Sequence, residues 1–189
     1  MARPALFLDR DGVINVDHAY VYQKENFDFI EGIFELVAAA KHAGYLVIVV
    51  TNQAGIGRGY YTPQDFHALM DWVGQQFAAH GGALDAVYYC PHHPEHGIGE
   101  YRQDSEDRKP GPGMLLRAAR ELNIDLARSL MVGDKASDAQ AGQAAGLSKL
   151  FYFGGDGDAG PAVRIARLAD LIPQLEAAVG VSPVSGNLT

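Results

Sequence analysis

Cysteine is almost missing from this chain. A single thiol, Cys90, in 189 residues cannot close an internal disulfide, which fits a reducing compartment. Long apolar runs are missing too. No segment approaches the ~18 consecutive apolar residues of a membrane span. The opening stretch MARPALFLDRDG has too short an apolar run before its charges to read as a secretory leader. Basic charge is scarce: 15 Lys and Arg stand against 23 Asp and Glu, for a net charge of −8. That balance argues against a nucleic-acid backbone or an anionic membrane as partner. It still admits a small anionic ligand, because a local cluster of Lys and Arg can oppose the global sign. Internal repeats, low-complexity tracts and dividing linkers are absent as well. The expectation is a soluble, cytoplasmic protein with one domain over residues 1–180 and a loose tail at 181–189. No long apolar stripe is left over, so a monomer is expected.

What is present is an alternation of short apolar runs with amphipathic segments. Ala5 to Leu8, YLVIVV at 45–50, AVYYC at 86–90, SLMVGD at 129–134 and KLFYF at 149–153 read as strands. Unbroken runs of this kind suit parallel strands buried on both faces. Between them, Glu31 to His42 reads as a helix stopped by Gly44. Thr62, Pro63 and Asp65 read as the cap of a helix whose inner face is Phe66, Leu69, Met70, Val73 and Phe77. Leu115 to Leu122, Ser137 to Ala145 and about 169–179 complete the helices, and 91–110 reads as a polar loop. Strands alternating with helices predict a doubly wound, mostly parallel α/β sheet of Rossmann-like type, with no inserted cap.

In such a sheet, ligands bind outside the carboxyl ends of the strands. The residues that follow each strand therefore matter most. They are Asp9 and Asp11, then Thr51 and Asn52, then Arg108 and Lys109 at the end of the long loop, then Asp134, Lys135 and Asp138. An isolated Asp-x-Asp is usually a cap or a solvated turn. Four polar clusters at one sheet edge, in this order, are a site.

DRDG, VVTNQ, RKP and VGDKASD resemble the motifs of the haloacid dehalogenase superfamily of phosphohydrolases, spread over residues 9–138. NVDHAYV, TNQAGIGRG, YYCPHHP and RKPGPGMLL are similar to its branch of D-glycero-D-manno-heptose-1,7-bisphosphate 7-phosphatases, which supply lipopolysaccharide and surface-glycan precursors. Histidinol-phosphate phosphatases share several of these segments, so that activity, or a broader phosphomonoesterase, stays open. A phosphate-binding module without turnover is disfavoured, because every catalytic position is filled.

The resemblance implies Asp9 as nucleophile, forming an aspartyl-phosphate, and Asp11 as the acid and base that moves protons. Thr51 and Lys109 would hold the transferring phosphoryl group. A carboxylate meeting a phosphate is repelled: two unit charges at ~4 Å cost about 4 kcal/mol at an effective dielectric of ~20. The site therefore needs positive charge. Magnesium on Asp9, Asp134 and the backbone of Asp11 is implied. Asp138 is expected to orient Lys135 or a metal-bound water. Three loops would select the sugar phosphate: Asp17, His18, Ala19 and Tyr20; Asn52, Gln53 and Ala54 beside Thr51; and Arg108 with Lys109, Lys135 standing nearby. Arg108 suits a second, non-reacting phosphate. The family often carries a zinc bound by Cys-x-His and a later Cys-x-Cys. Here Cys90 and His92 keep the first half, but Ser105 and Asp107 stand where the two thiolates belong. A structural zinc is therefore not expected.

Overall fold

The computed structural model describes residues 1–178, so the expected tail at 181–189 and the last residues of the expected domain lie outside the described residues. The described residues form one six-stranded parallel sheet. Its strands are β1 (Ala5–Leu8), β2 (Leu46–Asn52), β3 (Ala86–Cys90), β4 (Leu130–Gly133), β5 (Lys149–Phe153) and β6 (Val163–Ile165), in the spatial order β3-β2-β1-β4-β5-β6. The helices are α1 (Ile33–His42), α2 (Ala54–Gly57), α3 (Pro63–Ala79), α4 (Gly113–Leu122), α5 (Ala136–Ala145) and α6 (Ile172–Ala178).

The all-apolar sequence of β1 explains its central place. Leu6 and Leu8 face one core layer and Ala5 and Phe7 the other, and all four are fully buried. β2 alternates in the same way, with Val47 and Val49 on the first side and Leu46, Ile48 and Val50 on the second. The first layer is completed by α1 and α3, the second by α4 and α5. α3 starts on the expected capping box: Thr62 Oγ1 accepts from Asp65 N at 3.1 Å, and Asp65 Oδ2 accepts from Thr62 N at 2.9 Å. Its five expected inward residues are all buried.

Strand order reverses between β1 and β4, because the chain leaves β3 at one edge and re-enters beside β1. Such a switch point opens a crevice at the strand ends. Asp9 and Asp134 follow these two strands directly.

The structure adjusts several boundaries. α1 begins at Ile33 because Gly32 sits at φ +87, outside the helical region. The last helical segment is a 3-10 turn, Leu168–Leu171, leading into α6. The strand β6 and the short helix α2 were not expected from sequence. Among the described residues no second sheet or helical cap is inserted between these elements.

Candidate active site

The chain turns sharply after β1. The amides of Val13 and Ile14 donate to the Arg10 carbonyl, and Gly12 N donates to Asn15 O at 2.8 Å. Gly12 adopts φ +88, and a Cβ there would lie 2.1 Å from Asp134 Oδ2. Glycine is therefore what lets the β1 turn and the β4 end meet. Gly133 plays the same part for Asp138, whose Cβ would be only 2.3 Å from an added methyl.

At the floor of the crevice lies a buried charge cluster. Lys109 Nζ donates to Asp9 Oδ1 at 2.9 Å and to the Val50 carbonyl at 2.9 Å, and it pairs with Asp138 Oδ1 at 2.6 Å. Lys109, Asp9 and Asp138 are all buried. Burial first, and the Asp138 carboxylate second, push the Asp9 carboxyl well above its ordinary range, although Lys109 opposes them. Asp134 is also raised, by burial above all, with Asp138 adding to it.

Asp138 was expected to orient Lys135 or a metal-bound water; one of its oxygens holds Lys109, and its bond to Lys135 is to the backbone amide, not the side chain. Its other oxygen accepts from the backbone amides of Asp134 and Lys135 at 3.1 Å each, capping α5.

Asp11 stands at the cleft wall with three donors on its carboxylate. Arg10 Nη2 lies 2.7 Å and Asn15 Nδ2 3.1 Å from Oδ1, and Gln53 Nε2 lies 3.1 Å from Oδ2. The same Gln53 nitrogen reaches Thr51 Oγ1 at 2.9 Å, while the Tyr61 hydroxyl donates to Gln53 Oε1. One buried amide thus supports both Asp11 and Thr51. Asn52 is engaged in the same internal way: its amide accepts from Lys109 N at 3.0 Å and donates to Lys109 O at 3.1 Å.

A cleft of about 550 Å³ opens above this floor. Asp11, Asp17, Ala19, Tyr20, Asn52, Gln53, Ala54, Arg108, Lys109 and Lys135 line it. The structure therefore gathers nearly all the expected site residues from four loops. Asp9 and Asp134 sit together outside this lining and Thr51 sits behind Gln53, while His18 is exposed and turned toward Asp28 with Nε2 2.8 Å from Oδ2. Arg108 touches the His92 carbonyl at 3.4 Å and forms no ion pair among the described residues, since Asp107 is taken by Arg117 at 2.8 Å. Tyr61 and Ser137 also line the cleft and were not singled out in the sequence.

Among the described residues, one group of three or more His, Cys, Asp or Glu side chains is close enough to share an ion: Asp9, Asp134 and Asp138, with one oxygen of each within 4.8 Å of the others. Asp134 Oδ1 is buried without a partner. An all-oxygen donor set with an orphaned carboxylate oxygen fits a hard divalent cation such as magnesium. At the end of β3 and in the 91–110 loop, three of the side chains with metal-ligand atoms have other partners. His92 Nδ1 meets Gln103 Nε2 at 3.1 Å, His93 Nδ1 accepts from the amides of Glu95 and His96, and burial pushes the Cys90 thiol up beside a bond from Ser105.

A parallel sheet whose β1 and β4 ends present carboxylates to a buried lysine, beside a second aspartate two residues on, defines an aspartate-based phosphohydrolase of the haloacid dehalogenase (HAD) class. Residues 107–178 match the HAD-hydrolase-like family model. The chain is 60% identical over 147 residues to the D-glycero-alpha-D-manno-heptose-1,7-bisphosphate 7-phosphatase of Burkholderia mallei, covering 78% of each chain. It is 56% identical to the D-glycero-beta-D-manno-heptose-1,7-bisphosphate 7-phosphatase of Vibrio cholerae, covering 78% of this chain and 79% of that one. Its fold matches the crystal structure of D,D-heptose 1,7-bisphosphate phosphatase from B. bronchiseptica, complexed with magnesium and phosphate, at a TM-score of 0.77 and 32% identity, covering 91% of this chain and 97% of that one. The chain belongs to the D-glycero-D-manno-heptose-1,7-bisphosphate 7-phosphatase family.

Proposed function

We propose that the protein removes the C7 phosphate of D-glycero-D-manno-heptose 1,7-bisphosphate, as a step in making heptose precursors of lipopolysaccharide or surface glycans. The observation that carries the reading is the Asp9–Lys109–Asp138 cluster at the floor of a cleft walled by Asp11, with Arg108 and Lys135 in its lining and neither ion-paired among the described residues. The Asp9 carboxylate attacks phosphorus and the ester bond to the C7 oxygen breaks. Asp11 gives its proton to that leaving oxygen, then takes one from the water that cleaves the aspartyl-phosphate. The Thr51 hydroxyl and Lys109 ammonium hold the phosphoryl oxygens in transit. Asp9, Asp134 and the Asp11 backbone would hold magnesium, with Asp138 in reach, and the ion supplies charge that offsets the repulsion between carboxylate and phosphate. Arg108 takes the second phosphate, and the 17–20 loop with Ala54 shapes the sugar site. Charge and size suit a cytoplasmic, single-domain monomer. Among the described residues no helix is long and apolar enough to cross a membrane.

The test is phosphate release, with magnesium and with chelator, from both anomers of heptose 1,7-bisphosphate and from histidinol phosphate. A large preference for the bisphosphate, lost with chelator, is expected. Comparable or better turnover of histidinol phosphate would leave the chemistry standing and overturn the substrate. The relatives at similar identity carry both anomer names, so measuring both anomers also decides the preference at C1.

Metal binding has its own signature. Asp9 and Asp134 are raised above the ordinary value of 3.8, so in the metal-free native state these two groups keep protons that the unfolded chain has released. Their contribution to stability falls as pH rises through that window. Magnesium is expected to raise the melting temperature, and to do so more near pH ~8 than near pH ~5. A melting temperature indifferent to magnesium at both would show that the cluster does not hold the ion.

A further inference from the structure

Arg10 lies between Asp9 and Asp11 in sequence, yet its side chain enters the core. It is fully buried, with Cζ 5.9 Å from the ring centres of both Phe27 and Phe66 in the layer shared by α1 and α3. One nitrogen makes all its bonds: Nη2 donates to Asp11 Oδ1 at 2.7 Å and to the Val21 carbonyl at 2.5 Å. Nε and Nη1 are buried without partners.

Packing does not call for arginine here. A methionine of similar length would fill the space with no buried charge and no orphaned donors, and well-packed apolar replacements of buried ion pairs are often neutral or stabilising. The two acceptors give the residue its purpose. Asp11 stands at the cleft wall. Val21 ends the segment in which Ala19 and Tyr20 hold φ of +59 and +56, a region that side chains disfavour, and both residues line the cleft. Asn15 and Gln53 also bond Asp11, but they are neutral amides at 3.1 Å; in the Arg10 bond donor and acceptor both carry charge, and it is shorter.

We propose that Arg10 is a positioning residue that aims Asp11 for proton transfer and, through the Val21 carbonyl, ties that aim to the shape of the 17–21 substrate loop. This rests on the reading of Asp11 as the acid that protonates the leaving oxygen. A sugar alkoxide needs that proton; p-nitrophenolate leaves without it. Misaiming Asp11 therefore harms one substrate far more than the other.

The experiment compares Arg10→Met and Arg10→Lys with the parent on heptose 1,7-bisphosphate and on p-nitrophenyl phosphate, with melting curves for each. In Arg10→Met, kcat/KM on the bisphosphate is expected to fall about 100-fold, within the range attributed to general acid–base catalysis. On p-nitrophenyl phosphate kcat/KM should fall less than about 10-fold, because departure of that leaving group needs no proton and the later hydrolysis of the shared aspartyl-phosphate, where Asp11 acts as base, lies outside this ratio. KM for the bisphosphate should rise as the loop loosens, and Arg10→Lys should recover part of both effects. Equal losses on the two substrates in a folded variant, or no loss, would overturn the proposal. If Arg10→Met does not fold, Arg10→Lys decides by the same comparison: a loss confined to the alkyl phosphate supports the proposal, and an equal loss or none overturns it. Asp9→Asn serves as the control for the underlying reading. Turnover of either substrate by that variant would defeat the aspartyl-phosphate mechanism, a result separate from any ratio seen at Arg10.

Discussion

Asp9→Asn is expected to silence the enzyme while making its metal-free form more stable. Loss of a covalent nucleophile costs on the order of 10⁴–10⁶-fold in turnover in other hydrolases, and an amide has no comparable nucleophilic oxygen. The shape is nearly unchanged, so Lys109 Nζ can still donate to the remaining carbonyl oxygen at the 2.9 Å seen for Oδ1. Stability moves the other way for an electrostatic reason. In the metal-free parent, Asp9, Asp134 and Asp138 crowd together with one buried ammonium among them. Burial and the Asp138 charge hold the Asp9 carboxyl well above its ordinary range, which means its ionised form is disfavoured in the native state. Removing that charge relieves the repulsion near neutral pH. Phosphate release and melting curves in chelator check both halves. Retained turnover would end the aspartyl-phosphate mechanism. A lower melting temperature would mean that the Asp9–Lys109 bond outweighs the repulsion.

The opposed signs follow from the role proposed for Asp9 as the attacking carboxylate. A group kept poised to attack, partly dehydrated and beside like charges, is badly placed for stability. The same tension explains which parts of this molecule were legible in the sequence. Strands β1, β3 and β5 are written in continuous apolar or alternating runs, and they fold at the expected residues. The α3 cap is equally local, because Thr62, Pro63 and Asp65 solve their own hydrogen bonding within one turn. β6 has three residues and a central arginine, too little pattern to mark a strand; it exists because β5 leaves an edge for it.

The residues that gather at the crevice were legible by type and by place after each strand, but their partners were not. Asn52 reads as a substrate residue, yet both its amide atoms clamp the Lys109 backbone 57 positions away. Asp138 reads as orienting Lys135 or a metal-bound water, yet its side chain pairs with the Lys109 ammonium and meets Lys135 only at the backbone amide. Gln53, Tyr61 and Arg10 form a supporting shell around Asp11 that no local pattern announces. Arg10 is the extreme case, a basic residue between two aspartates that is fully buried. These pairings arise only when four loops meet, so they belong to tertiary structure and not to periodicity.

Lys109→Met is expected to damage fold and function together, unlike the change at Asp9. The ammonium is almost wholly buried, and it binds Asp9, Asp138 and the Val50 carbonyl. Burial by itself would pull its pKa down, but Asp138 and then Asp9 more than offset this, and the net shift is upward from 10.5. A lysine raised in this way contributes its full stabilisation at every pH below its ordinary value, and loses it only above. Near neutral pH the whole contribution is therefore present to be lost. Methionine fills the same volume but leaves Asp9 and Asp138 facing each other without a cation. Breaking a buried pair from one side costs about 3–5 kcal/mol. For a chain of this size that is a fall of roughly 6–20 °C in melting temperature. Turnover should drop by about 100-fold or more, the scale for removing one preorganised donor from a transferring group. Magnesium separates the two effects: as a cation on the same carboxylates it should restore part of the stability, while the missing contact to the phosphoryl oxygens keeps activity low. Melting curves in chelator and in magnesium, read beside phosphate release, distinguish these outcomes. An unchanged melting temperature in chelator would show that the desolvation of Lys109 cancels its two ion pairs, and would leave it a purely catalytic group.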